Sequence, residues 1–233
     1  MINYNAPLIA VHNNGNIAQA MIANALSVIN VEVGNPATRS IFEDLVGPPK
    51  GQWRLDRPFR ADGQGGPSTC SMIALGLLRR LNVDDNTILA KYQPGSGFLA
   101  ARRYAKAMKA WLSPRKGDRP YPGDIIELKS AKTSNDPSNH TATVVAWEQD
   151  NLCTVDGGQV GLNGLQAIRL LKRPWSDLQL TAGNRPVDGW IQLELLDFRN
   201  TLIVPQGWDN LDEDDALQWN QKHHPKFGCR LDC

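Results

Sequence analysis

Gln64, Cys70, His140 and Asp156 are residue types that can assemble nucleophilic acyl-transfer chemistry. Cys70 opens the run Cys70-Ser71-Met72-Ile73-Ala74-Leu75-Gly76-Leu77-Leu78, apolar around most of its circumference, which predicts a central, buried helix. At the start of such a helix, unpaired N–H groups and the positive end of the dipole favour a thiolate, the reactive form of the thiol. A nucleophilic cysteine needs a base, and His140 is the histidine that opens a patterned segment. The base in turn needs an acceptor that fixes its tautomer. Asp156 ends the next strand-like segment, just before Gly157-Gly158, where a hairpin would set it beside His140. Gln64 lies in a Gly-rich loop upstream, and its side-chain amide could donate to an oxyanion together with the backbone N–H of Cys70.

Each of these residues also has a plain structural use. A lone cysteine is commonly a small core residue, a histidine can be a satisfied structural group, and an Asp before Gly-Gly often caps a turn. Gln159 competes with Asp156 as the third residue. Asp124 reads as a turn or strand-start residue. His223, His224, Cys229 and Cys233 suggest a metal on composition, but they lack the bracketed spacing of a zinc module, so no metal and no cofactor is expected. Arg102, Arg103, Lys106 and Lys109 read as a solvated helix face. The tryptophans, Trp53, Trp111, Trp175, Trp190 and Trp208 among them, read as core or groove residues.

The elements that must position these groups follow from periodicity. Helices are predicted over Ile17 to Ile29, with Ile17, Met21, Ala25, Leu26 and Ile29 on one face, over Thr38 to Leu45, and from Cys70. Two more are predicted over Asp84 to Tyr92 and Gly97 to Leu112. Gly47 to Pro67 reads as a long ordered loop. After Pro120 the period changes to two: Asp124 to Leu128, Thr141 to Trp147, Leu152 to Val155, Ala167 to Leu171 and Trp190 to Leu195 read as strands, with a hairpin turn at Asp150-Asn151. Helices followed by an antiparallel sheet make an α+β pattern.

Composition narrows the function classes. The 233 residues carry 25 basic and 24 acidic side chains, a net charge of +1, and so lack the excess that neutralises nucleic-acid phosphates. No apolar run reaches the roughly 18 residues that span a bilayer. Met1 to Asn5 lacks the layout of a signal peptide, so synthesis in the cytoplasm is expected. Four cysteines are too few for a disulfide scaffold, and a Cys229–Cys233 bond is left open by spacing.

Taken together, Cys70-Ser71 at a helix start, then Tyr121-Pro122-Gly123-Asp124-Ile125-Ile126, then Asn139-His140 opening a strand, resemble the NlpC/P60 and CHAP group of papain-like cysteine hydrolases. Gln64-Gly65 is similar to the oxyanion glutamine of papain-type enzymes. The resemblance covers Gln64 to Gln159 and departs from many members at Thr69 and Ala142. It implies a papain-like α+β domain, taken as residues 1–205, with N-terminal helices packed on an antiparallel sheet; residues 206–233, where Asp212-Glu213-Asp214-Asp215 opens a short helix, read as a C-terminal extension. It further implies a cysteine peptidase or amidase acting on bacterial cell-wall peptides, with Cys70 as nucleophile, His140 as base, Asp156 as its orienting residue and Gln64 at the oxyanion. By analogy the chain would be a secreted toxin carried by a specialised secretion system, acting in the periplasm of a target cell, with an immunity protein or a secretion carrier as partner. Two other readings stay open: a protein glutamine deamidase or transamidase using the same Cys-His site, and a degenerate domain that binds without turnover.

Overall fold

The computed structural model describes residues 17–46, 69–81, 102, 105, 106, 109–129 and 139–195. Among the described residues, three continuous helices precede seven strands, and every strand pairing is antiparallel: an α+β fold. In α1 (Ile17–Ser27) the apolar spacing buries Met21 and Ala25. Leu26 falls about 100° from Ala25 around the axis and stays exposed. The helix stops at Ser27, whose hydroxyl donates to the Asn24 carbonyl (2.8 Å), so Ile29 lies beyond it rather than on its face. α2 (Arg39–Val46) follows Thr38, whose hydroxyl bonds both backbone groups of Glu32. α3 (Cys70–Arg79) is the buried helix that the apolar run requires. Gly76 lets it cross α2 closely, because a Cβ there would overlap the Leu45 backbone.

The strands are β1 (Trp111–Leu112), β2 (Ile125–Leu128), β3 (His140–Glu148), β4 (Asn151–Val160), β5 (Gln166–Ser176), β6 (Thr181–Ala182) and β7 (Arg185–Ile191). Their order is β1-β7-β2-β3-β4-β5-β6, and β6 pairs also with β7, which curls the sheet into a closed ring. Successive residues of a strand face opposite sides. Ile125, Val145, Cys153 and Val155 accordingly pack with the helices in one core, and Ile126, Ala142, Val144, Leu152 and Trp190 fill a second core inside the curl.

Several boundaries differ from the sequence expectation. β4 does not end at Val155; it runs on through a bulge between Asp156 and Gln159, with Gly158 at φ 68°. The β3–β4 turn is Gln149-Asp150, one residue earlier than Asp150-Asn151, because Glu148 pairs with Asn151. The helix expected to reach Leu112 has ended before Lys109 (φ 57°), and Trp111–Leu112 is an edge strand on β7. The last strand spans Arg185–Ile191, while Leu193–Leu195 forms a 3-10 turn. β6 is too short to leave a periodic signal. The loop Gly47 to Pro67, the helix Asp84 to Tyr92 and the C-terminal extension lie outside the described residues.

Candidate active site

Cys70, His140 and Asp156 come together. Asp156 is in the middle of β4 with no exposed surface, and it shares a strand face with Thr154 two residues before it. Extending the Thr143–Val155 pairing puts Ala142 opposite Asp156 and His140 on the diagonal, within reach of a long side chain. The imidazole Nε2 of His140 makes a hydrogen bond to Asp156 Oδ2. Nδ1 is then the ring nitrogen left for the Cys70 thiol, with which His140 also makes a side-chain hydrogen bond. Cys70 is the first residue of α3 and is 5% exposed. A Cβ on Gly157 would overlap Ile73 and crowd the Thr69 carbonyl, so the bare backbone there lets the first turn of α3 sit next to Asp156.

The electrostatics follow from burial and contact. Burial alone would lower the His140 pKa, but the hydrogen bonds to Asp156 and to Cys70, and their charges, raise it to about 9. The imidazole is therefore cationic at neutral pH. Burial would raise the Asp156 pKa, yet the His140 hydrogen bond and the Arg173 charge hold it below the usual carboxylate range. Arg173 of β5 donates from Nη2 to Oδ2 (2.7 Å) and from Nη1 to Oδ1 (3.2 Å). Its Nη1 also meets the Thr154 hydroxyl, which itself donates to Oδ1 at 2.6 Å. Such an arrangement can hold a thiolate–imidazolium pair, the reactive state of a cysteine nucleophile.

No family model matches the chain, and no curated protein matches it in sequence. Among solved structures it is similar to the crystal structure of Ly7917 with the hydrolyzing product of MDP, at 14% identity and a TM-score of 0.30. That alignment covers 76% of this chain and 62% of the other, so the chain spans less than two thirds of that protein's length. At this level of likeness the chemistry of the site rests on its own geometry.

Of the other candidates, Gln159 donates its side-chain amide to the Gly157 carbonyl at 3.3 Å, two residues back on its own strand. Gln64 lies outside the described residues, as do His223, His224, Cys229 and Cys233. Among the described residues no three His, Cys, Asp or Glu side chains are grouped to hold a metal ion. Asp124 is structural, as its position suggested: its carboxylate accepts from the backbone N–H of Tyr121 (2.8 Å) and of Leu193 (3.0 Å). Burial pushes its pKa up to about 6 against those two bonds.

Arg102 departs from the expected solvated face. Its guanidinium lies 4.7 Å from the Trp111 ring centroid and pairs with Asp188 (2.5 Å) and Glu127 (3.3 Å). Glu127 in turn accepts from Asn139 Nδ2 at 2.7 Å, which anchors the residue immediately before His140. A second anchor stands before Cys70: Gln166 Oε1 accepts from both the N–H (3.0 Å) and the hydroxyl (2.7 Å) of Thr69. Neither anchor, nor Arg173, was legible in the sequence. Thr154 was, in principle, since residues i and i+2 of a strand share a face.

Proposed function

We propose that this chain is a cysteine-dependent amide hydrolase of papain-like, NlpC/P60 type that cuts peptidoglycan peptides as an endopeptidase or amidase. The observation that carries the reading is the continuous buried chain Cys70–His140–Asp156, with the helix start behind the thiol and an ionised carboxylate behind the imidazole. The Cys70 thiolate attacks the carbonyl carbon, forming a C–S bond while the C=O electrons move to oxygen. The backbone N–H of Cys70, with Gln64 as second donor, stabilises that oxyanion, each donor contributing roughly 3 kcal/mol. The oxyanion collapses, the C–N bond breaks, and Nδ1 of His140 protonates the departing amine. A water then gives its proton to Nδ1 and attacks the thioester; the acid leaves, and thiolate and imidazolium are restored. Asp156 keeps the ring in the tautomer and orientation that both transfers need.

The resemblance of the Cys70, Pro122-Gly123-Asp124 and Asn139-His140 segments to cell-wall hydrolases supports the substrate class. Within this reading the protein is a secretion-delivered toxin active in the periplasm. Mass spectrometry of purified peptidoglycan fragments incubated with the protein tests the reading. New cleavage products that require Cys70 are expected, and unchanged fragments alongside a deamidated protein substrate would replace it with the glutamine deamidase.

A further inference from the structure

We propose that Arg173 is a positioning residue for the Cys70–His140 pair, supplying the second positive charge that lets Asp156 and the Cys70 thiolate be ionised together around one imidazolium. The proposal rests on the cysteine-nucleophile reading above. Its basis is a charge count at a buried site. The reactive state holds two anions, the Asp156 carboxylate and the Cys70 thiolate, and His140 supplies one cation. Left alone, that set is a buried net negative charge, and an unbalanced buried charge is strongly unfavourable. The usual escape is to protonate one of the anions, which here would consume either the orienting carboxylate or the nucleophile.

Arg173 removes the imbalance. Its two terminal nitrogens take both oxygens of Asp156, the two-pronged geometry for which a guanidinium is suited, and its side chain is 13% exposed against none for Asp156. The result is an alternating sequence of charges, Arg173 positive, Asp156 negative, His140 positive, Cys70 negative. Together with the Thr154 hydroxyl, Arg173 also fixes the carboxylate plane, leaving Oδ2 directed at the imidazole.

The neighbouring charges are engaged elsewhere. On β5, Arg169 pairs with Glu32 and Lys172 with Glu148. Arg102 and Lys129 pair with Asp188, Arg102 also reaching Glu127. At the far end of α3, Arg80 pairs with Asp44. Among the described residues, Arg173 is the guanidinium that reaches Asp156.

The test needs no substrate. The rate of iodoacetamide alkylation of Cys70 is followed against pH by site-resolved mass spectrometry, with Cys153 as internal reference and the thermal midpoint measured in parallel. Arg173→Met removes the charge with similar bulk. Arg173→Gln removes it while keeping an N–H donor, so it reports should the Met variant fail to fold. Both are expected to move the Cys70 alkylation midpoint upward by about one pH unit, the lower end of what one nearby charge does. Arg173→Lys, which retains the charge, is expected to stay near the wild-type midpoint. A merely structural Arg173 would lower the thermal midpoint and leave the pH midpoint in place, and that result in a folded neutral variant would overturn the proposal. So would a Lys variant shifted as far as the Gln variant. Wild-type Cys70 alkylated no faster than Cys153 would sink the nucleophile reading itself, an outcome distinct from either.

Discussion

His140 Nε2 and Arg173 Nη2 donate to the same oxygen of Asp156, Oδ2. One carboxylate thus ties together two cations from different strands, β3 and β5, across the strand that lies between them. The imidazole cannot rotate without giving up its bond to a carboxylate that Arg173 and Thr154 hold from the other side. That rigidity is what a base needs when it must take and return a proton in the same place.

The nucleophile is the most direct prediction. Cys70→Ala is expected to abolish hydrolysis with the thermal midpoint nearly unchanged. In the unaltered protein iodoacetamide at neutral pH should label Cys70 well before Cys153, whose thiol is pushed up by burial and by the Glu148 charge. Full activity in the Ala variant would end the cysteine-hydrolase reading.

The imidazole sets a pH window. The His140 pKa is raised from 6.5 to about 9, so its contribution to stability is fully present below about 6.5 and is lost as pH rises through about 9. That loss is on the order of 3 kcal/mol. Urea unfolding at a series of pH values should show the decline, and His140→Gln should flatten it. Proton NMR of the imidazole in Asp156→Asn should show titration moving back toward the ordinary histidine range.

The roles of the two candidates for the third residue separate cleanly. His140→Ala should lower kcat/KM by several orders of magnitude. Asp156→Asn should cost less, because an amide oxygen still accepts from the ring. Gln159→Ala should change activity little, since its amide bonds the Gly157 carbonyl and not the ring. A larger loss at Gln159 than in Asp156→Ala would reverse the assignment.

Gln166 predicts a stability effect that carries into activity. Gln166→Leu leaves the buried N–H and hydroxyl of Thr69 without their acceptor, at about 1–3 kcal/mol per unsatisfied group. Chemical denaturation should register that loss, and kcat should fall because the start of α3 is no longer pinned. Gln166→Glu, which keeps an acceptor oxygen, should recover part of both.

Location discriminates between substrates. Made in the bacterial cytosol, a peptidoglycan hydrolase should leave growth unaffected; directed to the periplasm by a fused export signal, it should lyse cells, and Cys70→Ala should cancel the lysis. A deamidase of a cytosolic protein should show the opposite pattern. Growth curves of the two forms decide, and toxicity confined to the cytosolic form would favour the deamidase.

The sequence by itself determined the local frame. Period-3.6 burial put Cys70 at a helix start, and period-2 alternation put His140 at a strand start with Asp156 on the following strand, because side-chain direction within one element depends only on local geometry. It also carried the α+β order of helices before strands. It left Asp156 and Gln159 in competition, since a one-residue bulge between them reverses which face of the sheet the later side chain takes, and only the structure placed that bulge at Gly157–Gly158. The edge strand Trp111–Leu112 and the closing strand Thr181–Ala182 are two residues each, too short for any period, so the curl of the sheet was invisible. The groups that hold the site rigid were equally hidden: Gln166 meets Thr69 across 97 positions, and Arg173 meets Asp156 from the next strand. Contacts of that kind are fixed by strand pairing and register between distant segments, which periodicity within a segment does not encode.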